Sequence, residues 1–289
     1  MAGIGVVGGG TMGVGIAHAF ATSGMTVYLV DADEVTARKA VRNVSAVIEQ
    51  SVVRGKMDAA QAADAVQRLH AVASIAALPE ELELIVEAVP EVVALKRDIL
   101  AQCGRRRPRL LASNTSGISL ATIAEDLTAR ERFLGLHFFN PVWTMQLVEI
   151  VVLAETSRSA IEHATALCAA IGKESIIVRD APGFASTRLG ITLGLEAMRM
   201  VEEGVATAAD IDRAMELGYR HPMGPLKVSD LVGLDVRLEI AKNLSRSYVG
   251  FTPPDILVRM VQSGELGKKT GTGFYDWTSG SPLPRKDPA

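Results

Sequence analysis

Apolar residues follow two rhythms over the first 181 positions. Short β-branched runs alternate with longer stretches in which apolar side chains recur every three or four residues. The runs Gly3 to Val7, Thr26 to Val30, Leu82 to Val89, Arg109 to Ser113, Arg132 to Phe139, Leu147 to Val152 and Ser175 to Arg179 predict strands. Helical spacing predicts helices over Gly15 to Ala21, Val35 to Val53, Val92 to Cys103 and Ser157 to Ile171, the last stopped by Gly172. Val41, Val44, Ile48 and Val52 mark one face of the second. Arg54-Gly55-Lys56 breaks it, and Asp58 caps a further helix to about Leu69. This alternation predicts a mostly parallel sheet with helices on both faces. The two consecutive helices add a hairpin that a simple crossover lacks.

After Pro182 the strand rhythm stops. Leu189, Leu193, Ala197, Met200 and Val201 mark a helix over Gly183 to Glu203, ended by Gly204. Thr207 to Asp210 resembles a capping box, and the helix it opens runs to Leu217. A third helix is predicted over Val228 to Tyr248, and a fourth from Pro253-Pro254 to about Ser263. Polar composition predicts disorder from Thr278 to Ala289. The fold class is therefore an α/β domain with a helical-hairpin extension over residues 1–181, then an all-α domain over 182–289.

The chain has 289 residues, 48 % of them apolar, which is enough for two cores. The formal net charge is −3, and no basic stripe suggests a nucleic-acid partner. Cys103 and Cys168 stand far apart, without metal-ligand spacing. They fit a reducing compartment, and we expect a cytoplasmic protein with no metal. The apolar start lacks the basic segment of a signal peptide, and glycine interrupts it. No unbroken apolar run approaches the length of a membrane span.

Gly3 to Val7 feeds straight into Gly8-Gly9-Gly10-Thr11-Met12-Gly13, a G-x-G-x-x-G turn. Gly8 permits the tight turn, Gly10 lets backbone approach a pyrophosphate, and Gly13 lets the helix pack on the strand. The helix opened by Thr11 and Met12 offers free N–H groups to phosphate. The next strand ends in Asp31, placed to accept from both ribose hydroxyls. Strand, turn, helix, strand and acid together predict a Rossmann-type dinucleotide site. The charge of Asp31, with Asp33 and Glu34 close by and no Arg beside it, favours NAD over NADP. Ligands bind beyond the carboxyl ends of such strands. We therefore expect Glu87, Glu91, Lys96 and Asn114 at the cofactor site as well.

Oxidising an alcohol with NAD requires a base with a pKa near neutrality, which favours histidine. His18 lies inside a helix, His70 ends one, His163 sits on an amphipathic helix and His221 precedes a proline. His137 is placed at a strand end in the nucleotide-binding sheet. Glu149, beyond the Asn140-Pro141 turn, could reach back to it. Pattern alone leaves a structural role for His137 open.

Asn114-Thr115-Ser116, Gly135 to Pro141 and Leu147-Val148-Glu149 resemble the core motifs of the L-3-hydroxyacyl-CoA dehydrogenase family, which includes bacterial 3-hydroxybutyryl-CoA dehydrogenases. Gly8 to Gly13 resembles its nucleotide turn, and Asp180 to Phe184 its interdomain joint. Ala209 to Asp212, Pro222 to Pro225, and Gly267 to Tyr275 resemble its later signatures. The likeness runs to about Trp277. It implies His137 as general base, Glu149 as its orienting partner and Ser116 as a hydrogen-bonding group for the substrate oxygen. It implies an acyl-CoA near the hairpin, where Arg54 and Lys56 would meet anionic groups, and a homodimer through the C-terminal domain.

One position departs from the family pattern. Pro182-Gly183-Phe184-Ala185-Ser186-Thr187-Arg188 carries Thr187 where the family has Asn. Threonine offers a hydroxyl in place of an amide donor. The implied function is NAD-dependent oxidation of a 3-hydroxyacyl-CoA, or the reverse reduction. Thr187 keeps open a hydroxyacyl group on an acyl-carrier protein, or a free hydroxy acid of the carnitine or sugar-acid type. A non-catalytic NAD-binding structural protein is a further alternative.

Overall fold

A computed structural model of the chain describes residues 3–285. The fold divides into two compact units at Ala181/Pro182. In the first, β1 (Gly3–Val7) leads through the glycine turn into α1 (Thr11–Thr22) and β2 (Thr26–Val30). The hairpin follows as α2 (Glu34–Val53) and α3 (Ala59–Gln67). The side chains of Asp33 and Asp58 cap these two helices. Next come β3 (Leu69–Val72), β4 (Leu84–Glu87), α4 (Val93–Gly104) and β5 (Leu110–Ser113). The unit closes with α5 (Leu120–Ile123), β6 (Phe133–Phe138), β7 (Leu147–Val152), α6 (Arg158–Ala170) and β8 (Glu174–Arg179).

The eight strands lie in the order β3-β2-β1-β4-β5-β6-β7-β8. All neighbours pair parallel except β6 and β7. The strand order reverses between β1 and β4, so a crevice opens beyond their carboxyl ends. Ile4, Val6, Leu84, Val86 and Leu134 are almost wholly buried in the core. That continuous burial is why these strands read as apolar runs rather than as alternation.

Leu69 to Val72 is a strand, not the end of a helix. Arg68 caps α3, and Val27 to Val30 pair in register with Leu69 to Val72. His70 thus stands on an edge strand, stacked on Tyr28 with ring centroids 5.4 Å apart. A run of four residues after a helix gives too short a period to separate the two states.

The second unit is built on α7 (Ser186–Glu202), α8 (Ala208–Gly218), α9 (Pro225–Val232), α10 (Leu234–Ser245) and α11 (Asp255–Gln262). The single helix expected over Val228 to Tyr248 is two. Gly233 breaks it at φ 104°, a conformation that few other residues tolerate. Ile191, Leu195, Leu234, Leu257 and Phe274 form the core. The expected disorder after Thr278 does not hold for the described part. β9 (Tyr275–Asp276) pairs with β10 (Leu283–Pro284), and Arg285 bonds Glu265 and the Gly273 carbonyl. Residues 286–289 lie outside the described residues. Among the described residues no helix is long and apolar enough to cross a membrane.

Candidate active site

The glycine turn is shaped by close contacts that exclude side chains. A Cβ on Gly8, at φ 105°, would sit 2.6 Å from the Ala88 carbonyl of the neighbouring strand end. One on Gly13 would sit 1.7 Å from the Gly8 carbonyl. Gly10 is different, because a Cβ there meets nothing within 4 Å. No side chain caps the start of α1, so its first N–H groups at Thr11 and Met12 remain for a ligand. Asp31 accepts from the Gly9 N–H at 2.7 Å through one oxygen and from the Ala32 N–H at 2.6 Å through the other. These bonds fix the carboxylate at the rim.

Two clefts flank Asp31. One, of about 560 Å³, is lined by Gly8 to Met12 together with Thr36, Lys39 and Asn43. The other, of about 450 Å³, has walls from Ala32, Ile75, Leu95 and Ile99. An open cradle for phosphate, a fixed acid for the ribose and an apolar slot suited to a flat ring fit NAD. The apolar wall escaped the sequence reading. Its residues come from three elements with no shared motif.

Lys96 and Glu87 were expected on the cofactor surface, but both are fully enclosed. The Glu87 carboxylate accepts from Lys96 Nζ at 2.8 Å, the Val89 N–H at 2.7 Å and Ser113 Oγ at 2.6 Å. An unpaired charge left in such a place costs about 3–5 kcal/mol. The pair therefore supports the rim from behind. Glu91 is partly exposed. It bonds Lys96 at 3.2 Å and accepts from Thr115 Oγ1 at 2.5 Å and the Ser116 N–H at 3.0 Å. Glu91 thus ties the ends of β4 and β5 together. Asn114 uses its side-chain oxygen on the Phe138 N–H, 3.0 Å away, and so joins the ends of β5 and β6.

His137 and Glu149 face each other directly across the antiparallel β6–β7 pair. Nδ1 lies 2.7 Å from Glu149 Oε2. His137 is 6 % exposed and Glu149 is fully buried. The carboxylate accepts, so Nδ1 carries the proton and Nε2 is the basic nitrogen. The Phe139 ring lies 4.5 Å from the imidazole and limits its rotation. Ser116 follows β5 on the same sheet end, because Ser113 pairs with Gly135 two residues before His137.

Three further residues were expected at the substrate. Arg54 caps the carboxyl end of α2, and Lys56 follows in the exposed turn between α2 and α3. Thr187 lies in the first turn of α7, in the second unit. His18, His70 and His163 are placed as structural residues in the first unit, and among the described residues no cluster of side chains could hold a metal.

A phosphate cradle at one strand end and an oriented imidazole along the same sheet describe an NAD-dependent dehydrogenase acting on an alcohol. Residues 3–181 match the family model for the NAD binding domain of 3-hydroxyacyl-CoA dehydrogenase, and residues 183–277 match that for its C-terminal domain. The chain belongs to the 3-hydroxyacyl-CoA dehydrogenase family. It is 37 % identical over 280 residues to a 3-hydroxybutyryl-CoA dehydrogenase of Mycobacterium tuberculosis, covering 95 % of this chain and 98 % of that one. It is 35 % identical to the mitochondrial hydroxyacyl-coenzyme A dehydrogenase of Rattus norvegicus, covering 94 % and 90 %. The crystal structure of (S)-3-hydroxybutyryl-CoA dehydrogenase from Ralstonia eutropha aligns with TM-score 0.89 at 35 % identity, over 96 % of this chain and 99 % of that one.

Proposed function

We propose that this chain interconverts an L-3-hydroxyacyl-CoA and its 3-keto form with NAD, with His137 as the base. The observation that carries the reading is the 2.7 Å contact between the His137 imidazole and the buried Glu149 carboxylate. NAD, when bound, accepts the hydride from the substrate carbon. His137 Nε2 takes the hydroxyl proton as that hydride leaves. Glu149 holds the ring and stabilises the imidazolium that forms. The Ser116 hydroxyl bonds the same substrate oxygen, and Thr187 donates to the substrate carbonyl through a hydroxyl. Arg54 and Lys56 meet the anionic part of CoA. Gly8, Gly10, Thr11, Met12 and Gly13 hold the pyrophosphate, and Asp31 the ribose, while Asn114 and Glu91 shape the rim.

The test is a substrate panel with NADH. Acetoacetyl-CoA should be reduced with a kcat/KM at least ~10-fold above that for carrier-bound or free 3-keto acids, and the reverse ranking contradicts the reading. Thr187→Val should lower kcat/KM for acetoacetyl-CoA by roughly three- to tenfold, the worth of one neutral hydrogen bond.

The second unit also carries the dimer in this proposal. Leu189, Leu193, Leu231, Val232 and Val236 are large apolar side chains left exposed on it. Exposed apolar side chains on α7, α9 and α10 suit burial against a second copy of the chain. Light scattering at micromolar concentration should give twice the mass of 30.7 kDa. The two cysteines are free and buried, in keeping with a cytoplasmic setting.

A further inference from the structure

The glycine turn and the helix beyond Asp31 touch at one bare point. A Cβ on Gly9 would sit 2.4 Å from the Ala40 Cβ of α2 and 2.7 Å from Asp31 Oδ2. Only glycine there lets α2 lie against the turn. Ala40 is buried, and its neighbour Lys39 is exposed. Thr36, Lys39 and Asn43 recur on α2 at helical spacing, and all three line the cleft of about 560 Å³ that the glycine turn opens. The approach of Ala40 to Gly9 therefore brings Lys39 to the same cleft as the start of α1.

Among the described residues that line this cleft, Lys39 is the one cation. The carboxylates nearest it in the chain are committed elsewhere. Asp31 is held by the Gly9 and Ala32 N–H groups, at 2.7 and 2.6 Å. Asp33 accepts from the Thr36 N–H at 2.7 Å, and Glu34 pairs with Arg38. Among the described residues no ion pair reaches Lys39. Its ammonium stands in water at the edge of the cleft, with its charge left for a ligand.

The pyrophosphate of NAD carries a negative charge on each phosphate. The N-terminus of α1 supplies only about half a unit of positive charge against it. Asp31, at the same cleft, adds a full negative one. The glycine turn alone thus leaves the pyrophosphate short of positive charge. We infer that Lys39 is a cofactor-binding residue, whose ammonium meets the pyrophosphate of NAD from α2 while the N–H groups of Thr11 and Met12 meet it from α1. This rests on the reading of the cleft as the NAD site. A lysine is a compact charge on a flexible stem, and it binds a phosphate as a point charge without the planar fork of an arginine. Its role is affinity for the cofactor, and the proton transfer stays with His137.

NADH binding to the full-length protein, followed by fluorescence, tests this. Lys39→Met keeps the stem and removes the charge. It should raise the NADH Kd by at least ~10-fold, the worth of a hydrogen bond to a charged group. Lys39→Arg should stay within about threefold of wild type, and Lys39→Glu should bind more weakly than Lys39→Met. ADP-ribose keeps the pyrophosphate and lacks the nicotinamide, so Lys39→Met should weaken it by the same factor as NADH. Arg42 is exposed on α2 outside the lining of the cleft, and Arg42→Met should leave the NADH Kd within about twofold of wild type. In turnover of acetoacetyl-CoA, Lys39→Met should show its loss in the KM for NADH rather than in kcat. An NADH Kd in Lys39→Met within about threefold of wild type overturns the inference. Equal weakening by Lys39→Met and Arg42→Met also overturns it, because that marks a general field and not a contact. A raised Kd for free CoA with NADH binding unchanged overturns it as well, and gives the lysine to the substrate. Failure to reduce acetoacetyl-CoA, together with NADH binding weakened in Lys39→Met, removes the substrate reading and leaves Lys39 at the cofactor.

Discussion

Asp31 ends β2 with each carboxylate oxygen on a different backbone N–H, from Gly9 and from Ala32. Both bonds hold the carboxylate at the rim, so a 2′-phosphate at the ribose would meet its negative charge. The same cleft contains Lys39, a cation from α2 eight residues beyond the acid. No Arg flanks Asp31 in the sequence, and only the packing of α2 brings this lysine to the cleft. Wild type should favour NADH over NADPH in kcat/KM by at least ~10-fold, as the loss of a charge repulsion at close range allows. Asp31→Ser should narrow that ratio by about the same factor, with Lys39 then free to meet the phosphate. Equal use of both cofactors by the wild type would contradict this account. Among the site residues, His137, Glu149 and Ser116 were legible because they sit inside ordered motifs. Glu87 and Lys96 were expected at the cofactor site, and nothing in the sequence marked them as a buried pair, because burial depends on α4 closing over the strand end.

At the scale of elements, α1 and the loop after β6 meet in a contact that makes the first unit sensitive to acid. A Cβ on Gly15 would lie 2.7 Å from Val142, so only glycine lets the loop lie against the helix. One turn along, His18 packs against Trp143 with ring centroids 5.8 Å apart, and neither ring nitrogen has a hydrogen-bond partner among the described residues. Lys173 crosses the loop and donates to the Val142 and Met145 carbonyls, both at 2.6 Å. Burial, and then the charge of Lys173, lower the His18 pKa from 6.5 to about 4. The folded state therefore resists a proton that the unfolded chain accepts. Stability is whole above the unfolded value and falls as pH drops from 6.5 towards 4, by roughly 3 kcal/mol in total. Asp212 and Asp230 act in the opposite direction, because burial raises both and the cost eases as they protonate. Urea unfolding of the first unit at pH 7.5 and pH 5 should show the loss in wild type and a smaller one in His18→Leu; the same loss in both would contradict it. Elements with long periodic runs were legible, such as α2, marked by Val41, Val44, Ile48 and Val52, and α6, stopped by Gly172. β3 was not, because an edge strand of four residues is set by its pairing with β2. The break at Gly233 was not either, since an isolated glycine inside a helical pattern is tolerated at a cost of only about 1 kcal/mol.

At the scale of the molecule, one sheet arranges both halves of the reaction. The reversal of strand order puts the phosphate cradle at the end of β1. Three and four strands further along the order, the antiparallel pair β6–β7 presents His137 against Glu149. Alternation of strands and helices made this sheet legible as a class. The antiparallel turn that aligns His137 with Glu149 was visible only as a proline-containing loop between two strands. In the proposed function the helical unit contributes Thr187, in the first turn of α7. The central claim is that His137 moves the hydroxyl proton. It is tested most directly by stopped-flow reduction of acetoacetyl-CoA with His137→Gln, alongside NADH binding followed by fluorescence. The account predicts a fall in the rate of the chemical step of about a hundred- to ten-thousand-fold, with NADH affinity within about threefold of wild type. A chemical step within about threefold of wild type in a variant that binds NADH normally would contradict it.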